Sequence, residues 1–273
     1  MNQKEVMMYS TRMTTVFVSV LVLIGCGGKP QDAAAKTDKM TASEPTMQLA
    51  EAPAAAQSSA AGSAKVQATV KFVGSAPAKT KIKMDADPIC QQQHATPMES
   101  EEVVVNGNGT LKNVFVYVKE GAKGTFTVPT TPVTLEQKGC WYQPHVFGLQ
   151  VNQPLDIVNS DATLHNINAK PTTNTPFNIA QPVKGMKTTK KFAKPEVMVK
   201  FKCNVHPWMN AYTGVLGHPF FGVSDDHGTV TIAGLPAGTY TLEAWHETYG
   251  TKTQSVSVAD GETKSVEFTF NAP

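Results

Sequence analysis

The sequence contains almost no arginine, the residue that is best suited to bind phosphate groups with two parallel hydrogen bonds. Arg12 is its only arginine, the other basic residues are lysines, and the formal net charge is only +2. Lysine is a mobile point charge that lacks the flat, two-pronged guanidinium with which arginine contacts phosphate. We therefore expect no nucleic-acid partner.

Patterns typical of enzymes are missing as well. The sequence shows no Ser-His-Asp arrangement, no paired carboxylates and no glycine loop of the phosphate-binding kind. After residue 65 it also lacks the periodicity of an amphipathic helix of ten or more residues. We expect neither enzymatic activity nor a small-molecule substrate.

Short alternating runs broken by turn residues are what the sequence does contain after residue 65. Examples are KVQATVKFV (65–73), PLDIVNSD (154–161) and GTVTIAGL (228–235). Such runs are typical of strands, so we predict an all-β chain of one or two sandwiches. The two Asn-Gly pairs at 106–109 predict a hairpin within 101–121, because these residues tolerate the positive φ of tight turns.

The first apolar run, TTVFVSVLVLIG (14–25), is too short for a transmembrane helix and predicts a secretory signal over 1–25. Its end, LIGC, resembles the lipobox of bacterial lipoproteins, which implies that Cys26 is acylated and anchors the chain to a membrane. Gly27 implies sorting to the outer membrane, on its periplasmic side. An ordinary signal peptide followed by a chance cysteine is the alternative.

The next segment, 26–64, is rich in Ala, Ser, Gln and Pro and almost free of large apolar residues. Because it cannot bury enough apolar surface to fold, we predict a lipidated, disordered tether that spans about 35 Å. Beyond it we expect N-terminal strands (65–130), a central domain (131–220) and a C-terminal sandwich (221–273).

The last part of the chain, 225–270, resembles the carboxypeptidase regulatory-like family, a transthyretin-like sandwich without catalytic function. The resemblance is carried by Gly228, Ile232, Leu235, Pro236, Gly238, Tyr240 and Leu242. The family's usual first strand is absent near residue 220, and 65–77 resembles it. We therefore expect a split outer sandwich with the central domain inserted into it.

A pattern of metal ligands follows the alternating run that ends at residue 203. Cys203, His206 and Met209 stand three residues apart. One face of the predicted strand holds Val197, Val199, Phe201 and Cys203. A thiolate, two imidazoles and a weak thioether form the ligand set of blue electron-transfer copper sites, whereas structural zinc prefers four strong nitrogen or sulfur ligands.

Together with FGLQVNQPLDIVNSDATLHNI (147–167), this loop resembles the cupredoxins, the small blue copper proteins, with a ligand spacing most similar to that of amicyanin. The resemblance implies a Greek-key sandwich holding one type 1 copper. His165, Cys203 and His206 would form the plane of that site, with Met209 axial. A related fold without metal, in which Cys203 is an ordinary buried residue, is the alternative.

Two neighbours of the ligands have expected roles. Asn166 resembles the cupredoxin asparagine that ties the two ligand loops together, although a plain turn residue is the alternative. Trp208 either belongs to an exposed apolar rim around the edge of His206 or serves as packing.

The two remaining cysteines of the folded part are Cys90 and Cys140. In an oxidising compartment they would most simply form a disulfide. The alternative is a second metal site of the Cys2His2 type that also uses His94 and His145. The sequence is compatible with both the disulfide and the metal site.

Seven lysines precede or flank the ligand loop. They are Lys184, Lys187, Lys190, Lys191, Lys194, Lys200 and Lys202. Complementary charge speeds transient encounters, so we interpret them as the docking site of an acidic redox protein. A merely solvated face is the alternative.

These observations predict a lipid-anchored, periplasm-facing blue copper protein that shuttles single electrons between redox partners. Copper storage, delivery or sensing without an electron chain is the second hypothesis. A structural envelope lipoprotein with a vestigial metal site is the third.

Overall fold

The computed structural model describes residues 62–272, and within them the chain is almost entirely β-structure, which confirms the predicted fold class. Its single short helix is α1 (Pro88–Gln92). The strands are β1 (Ala64–Val73), β2 (Phe115–Glu120), β3 (Val133–Gln137), β4 (Tyr142–Gln143), β5 (Val146–Gln150), β6 (Leu155–Asn159), β7 (His165–Lys170), β8 (Phe177–Gln181), β9 (Lys187–Lys190), β10 (Glu196–Lys202), β11 (Asn210–Leu216), β12 (Phe221–Val223), β13 (Thr229–Leu235), β14 (Gly238–His246), β15 (Gly250–Val258) and β16 (Thr263–Asn271).

The first sandwich combines strands from both ends of the described chain. One sheet has the order β13-β1-β16 and the other β12-β2-β14-β15. Alternate residues of β1, such as Val66, Ala68 and Val70, are fully buried in the core between the sheets, as the alternation of KVQATVKFV predicts. The segment that resembles a missing first strand therefore lies between β13 and β16, antiparallel to the former and parallel to the latter.

The second sandwich is built from the middle of the chain. Its sheets have the orders β4-β3-β6-β9 and β5-β11-β10-β7-β8. Its core contains Leu135, Ile157 and Ile167 together with a group of stacked or tilted aromatic rings around Phe201. This sandwich positions the candidate metal ligands at one end.

The two sandwiches contact each other through a small apolar cluster. Phe115 of β2 lies against the backbone of the five-stranded sheet, where Gly148 and Gly214 leave room for its ring. A Cβ atom on Gly214 would lie 2.3 Å from Cζ of Phe115, so this close approach requires glycine.

The segment predicted to form N-terminal strands, 65–130, is divided between the sandwiches. β1 and β2 belong to the first sandwich, whereas Met84 and Cys90 lie in the core of the second. We call 81–98, which carries α1, the strap. Its ends are joined by a hydrogen bond from the Ile82 N–H to the Met98 carbonyl, and a disulfide fastens Cys90 to Cys140.

The predicted hairpin within 101–121 forms only around its turn, where the Asn106 N–H bonds to the Thr110 carbonyl and the Lys112 N–H to the Val104 carbonyl. The turn at 106–110 exists, with Gly109 N–H bonded to the Asn106 carbonyl, but only an isolated bridge pairs Val105 with Leu111. Asn113, at φ 63°, interrupts the second arm before β2 begins. β2 instead pairs with β12 and β14, because its alternating residues fill the first core and the cluster between the sandwiches.

The predicted signal (1–25), the acylated Cys26 and nearly all of the tether (26–64) lie outside the described residues. Among residues 62–272, the structure shows no helix with the length and apolar character needed to span a bilayer.

Candidate metal centre

Strand β10 delivers Cys203 to the inner end of an apolar face. Val199 and Phe201 are fully buried, and Cys203 follows them into the same core. The predicted alternation begins only at Val199. The pairing register of β10 shifts between Glu196 and Val199, and Val197 is exposed instead of facing the core.

The loop after β10 turns back on itself and carries the other two ligands of the motif inward. The Met209 N–H donates to the His206 carbonyl at 3.0 Å, and the Cys203 N–H donates to the Met209 carbonyl at 3.1 Å. All three side chains are buried. The three-residue spacing therefore brings His206 and Met209 back beside Cys203.

His165 completes the cluster from the first residue of β7. Its Nδ1 lies 2.9 Å from Nδ1 of His206, and Sγ of Cys203 lies 3.9 Å from that same His206 nitrogen. The three ligand atoms all lie within 4.8 Å of one another. The structure thus brings together three residues that are separated by up to 41 positions in the sequence.

The surroundings of Cys203 favour a thiolate. Burial alone would raise the pKa of the thiol, but the neighbouring His165 and His206 side chains and the N–H groups of Asn166 and His206 outweigh it and lower the pKa to about 5. The Asn166 N–H lies 3.5 Å from Sγ and the His206 N–H 3.3 Å. Since the thiolate is the form that binds metals, the sulfur is prepared as a ligand.

The donor set fits a metal ion. Two ligands that each lie about 2.0–2.3 Å from one ion are separated by about 3–4 Å. The observed separations of 2.9 and 3.9 Å agree with this, and one thiolate with two imidazoles suits borderline or soft metals. These residues could therefore hold a single ion without a change of fold.

Asn166 contacts both ligand segments. Its side-chain oxygen accepts a hydrogen bond from the Asn204 N–H in the ligand loop, while its own N–H points to Cys203. The contact spans 38 residues of sequence. It joins β7 to the loop that follows β10, the two segments that the cupredoxin resemblance expects this asparagine to connect.

The edge of His206 is not exposed. The side chain is buried, its Nε2 faces the Asp87 carboxylate at 2.9 Å, and Sγ of Cys90 lies 3.5 Å from the same nitrogen. An exposed rim around this edge is therefore wrong, because the strap covers it. Trp208 is half-buried: its ring centroid is 5.1 Å from that of His206 and its Nε1–H donates to the Cys140 carbonyl.

Two carboxylates next to the candidate ligands were not predicted from the sequence. Asp161 accepts from Nε2 of His165 at 2.9 Å, as Asp87 does from His206. Burial would raise the pKa of each carboxyl, but the histidine contacts and backbone N–H groups outweigh it and lower both. The four-residue spacing of Asp161 and His165 could have indicated their contact from the sequence. The contact of Asp87 with His206 spans 119 residues, and no local sequence pattern indicates it.

The disulfide removes the alternative of a Cys2His2 site. Cys90 and Cys140 are bonded to each other and buried. His94 instead contacts the Gly139 carbonyl at 2.7 Å, and His145 pairs with Glu247 of the other sandwich.

The seven lysines do not form one patch. Lys184 lies in the β8–β9 turn at the end of the sandwich that holds His165, and Lys187 and Lys202 lie near it by strand register. Lys190 pairs with Leu155 at the opposite end of β6, and Lys191 and Lys194 follow it there. Lys200 lies over the ring of Tyr212.

Comparison with known families identifies the C-terminal part. The model of the carboxypeptidase regulatory-like domain matches residues 215–271, which confirms the resemblance seen in the sequence. The match covers a minor part of the chain. No curated protein matches the sequence.

Several solved copper proteins are similar to part of the chain. A copper(I) form of an amicyanin variant is 16% identical, with 32% of this chain and 85% of that chain covered and a TM-score of 0.28. A purple cupredoxin from Nitrosopumilus maritimus is 19% identical, with 30% of this chain and 97% of that chain covered and a TM-score of 0.26. A copper-containing nitrite reductase from Thermus scotoductus SA-01 is 24% identical, with 36% of this chain and 25% of that chain covered and a TM-score of 0.28. Likenesses of this size identify neither a family nor an activity for the chain.

Proposed function

We propose that the chain is a copper protein that carries single electrons between redox partners. The observation that supports this most directly is the convergence of Cys203, His165 and His206, with all ligand atoms within 4.8 Å in a buried cluster. Met209 on the same loop would complete the set. Copper bound there would supply one-electron redox chemistry.

The protein's contribution is to hold the ligands still. Cys203 and His165 stand at the ends of paired strands, and the ligand loop is closed by two backbone hydrogen bonds. Ligands on rigid elements keep nearly the same positions when the charge of the ion changes. Little reorganisation would then accompany the gain or loss of an electron.

Electrochemical cycling in the presence of a copper chelator separates carriage from delivery. We expect the copper-loaded protein to cycle between cuprous and cupric forms at one potential and to keep its metal in both. Loss of copper to the chelator in one oxidation state would contradict electron carriage and favour delivery or storage.

For the partner, we propose an acidic redox protein that docks at the His165 end of the second sandwich. Leu164 and Val183 are exposed there by 42% and 63%, and Lys184 stands beside Val183. The Asn159 side chain joins the two loops by donating to the Thr163 and Gln181 carbonyls. An apolar centre with a basic surround suits a transient acidic partner.

If an acidic partner docks at this site, removing positive charge there should slow electron transfer. With a carboxylate-rich one-electron protein as probe, K184E should lower the transfer rate, and the rate of the unsubstituted protein should fall as salt rises. K194E, at the opposite end of the sandwich, is the control. Equal rates for both variants would contradict the site.

We also propose that Cys26 carries a lipid that holds the protein at a membrane on the periplasmic side. The support is the signal-like segment and the LIGC sequence alone. Labelled fatty acid should be incorporated into the chain in bacterial cells and not into C26S. Incorporation into both would contradict acylation of Cys26.

A further inference from the structure

Both ligand histidines are held from behind by a carboxylate, of which Asp161 is buried and Asp87 is half-buried. Nε2 of His165 lies 2.9 Å from Oδ2 of Asp161, and Nε2 of His206 lies 2.9 Å from Oδ2 of Asp87. In each imidazole the other nitrogen, Nδ1, points into the cluster, and the two Nδ1 atoms lie 2.9 Å apart. The two carboxylates therefore act on the ligands and lie outside the ligand set.

Asp87 uses its two oxygens for different purposes. Oδ1 caps α1 by accepting from the N–H groups of Ile89 and Cys90 at 2.9 and 3.3 Å. Oδ2 faces His206 and also accepts from the Thr163 hydroxyl at 2.9 Å. The cap fixes the carboxylate, so its second oxygen is aimed at the imidazole.

Asp161 is fixed in a comparable way by backbone N–H groups. Gly139 donates to Oδ1 at 2.9 Å and Cys140 to Oδ2 at 2.7 Å. Gly139 and Cys140 both have positive φ, 65° and 54°, which directs consecutive N–H groups toward the carboxylate. Positive φ is costly for cysteine, and the disulfide and these hydrogen bonds hold it there.

The disulfide connects the two carboxylates. Cys90 donates its N–H to Asp87, Cys140 donates its N–H to Asp161, and the two cysteines are bonded to each other. A single covalent link thus fastens the strap over the centre and joins the supports of both histidines.

We propose that Asp87 and Asp161 are positioning residues that set the affinity and the redox balance of the metal centre. This inference rests on the proposed function. A carboxylate that accepts the outer N–H of a ligand histidine fixes the ring and raises its basicity. A more basic imidazole stabilises the cupric form over the cuprous form, so both carboxylates should lower the reduction potential.

The test uses D87N and D161N in the full chain, with D156N as the matched control. Asparagine keeps one oxygen for the cap or for Gly139 and places an NH2 group where Oδ2 faced the imidazole, and it is a good N-cap residue. Asp156 is similarly enclosed in the same sandwich, but it pairs with Lys187 and Thr189. Thermal unfolding checks that all three variants fold.

We expect D87N and D161N each to lower cupric affinity about 10- to 100-fold and to raise the reduction potential, while D156N matches the unsubstituted protein. In the metal-free protein, ¹⁵N NMR should show exchange-protected Nε2–H protons on both histidines. D87N should lose the protection at His206 alone, and D161N at His165 alone.

The outcomes separate this inference from the proposed function. Unchanged affinity and potential in both variants, with the copper–thiolate absorption intact, would overturn the inference and leave electron carriage standing. Absence of that absorption from the unsubstituted protein would overturn the proposed function and the inference with it.

Discussion

At the scale of single residues, the centre depends on polar contacts that cross the sequence. The Asn166 side chain is buried and accepts from the Asn204 N–H, whereas Asn168, on the same strand, makes a contact from a more exposed position. We predict that N166A lowers the free energy of unfolding by about 1–2 kcal/mol, because the Asn204 N–H loses its acceptor. N168A should cost under about 0.5 kcal/mol. Chemical denaturation of the metal-free protein measures both, and equal losses would contradict a special role for Asn166.

The residues of the candidate centre could be predicted at this scale, whereas of their two supporting carboxylates only Asp161 left a usable signal. Cys203, His206 and Met209 form a local spacing, and the residues around His165 resemble a known motif. Asp87 stands in DPIC, which predicts no more than the start of a helix. Its contact with His206 depends on the path of the strap, and no local pattern encodes that path.

At the scale of elements, glycines decide how closely the two sandwiches approach. We predict that G214A lowers the free energy of unfolding by about 1–3 kcal/mol, because a Cβ atom there would meet the Phe115 ring. G217A is the control, since a Cβ at Gly217 meets no atom within 4 Å. Equal stability of the two variants would show that Phe115 can move aside at no cost.

A carboxylate at the start of β10 holds the loop that follows β7. Burial opposes the ionisation of Glu196, but N–H groups of Thr172, Thr173 and Asn174 lower its pKa to about 2. The stabilisation is therefore present above pH 4.5 and is lost as the pH falls toward 2.

We predict that E196Q lowers the free energy of unfolding by about 1 kcal/mol at pH 7, a modest figure because the loop is partly exposed. The difference from the unsubstituted protein should close between pH 5 and pH 2. E99Q, which removes an exposed pair with Lys79, is the control. A difference that stays constant with pH would contradict the role of the ionised carboxylate.

Strand positions could be predicted better than strand partners. The alternation in 65–73 and 154–161 marked β1 and β6 closely. The pairing of β2 could not be read from 101–121, because a turn signal identifies a bend and not the neighbours of the strands beyond it. Alternation also failed for Val197, where a register shift in β10 changes which side chains face the core.

At the scale of the whole molecule, an ion pair between buried His145 and half-buried Glu247 joins the two sandwiches. His145 precedes β5, and its Nε2 contacts the carboxylate of Glu247, which follows β14. Burial would lower the pKa of His145, but Glu247, with Glu101 at 4.0 Å from Nδ1, outweighs it and raises the pKa. The contribution of this pair is complete below pH 6.5 and is lost as the pH rises through the raised value.

We therefore predict that E247Q destabilises the protein by about 1–2 kcal/mol at pH 6 and by less at pH 9. Denaturant unfolding at the two pH values measures this, with E267Q, which removes an exposed pair with Lys71, as the control. A larger loss at pH 9 than at pH 6 would contradict the assigned charge of His145.

The segment that resembles a missing first strand forms β1, which pairs with β13 and β16 in the first sandwich. The strap could not be placed in the same way. Its apolar residues Ile82 and Met84 alternate with lysines, but this run is too short to show which core they join, and the disulfide to Cys140 fastens the strap to the second core.

The most direct test of the metal centre is titration of the purified metal-free protein with cupric ion, followed by visible absorption. We predict an intense copper–thiolate band that saturates at one copper per chain and is absent from C203A. A weak band, or one that persists without Cys203, would contradict a centre shared by Cys203, His165 and His206.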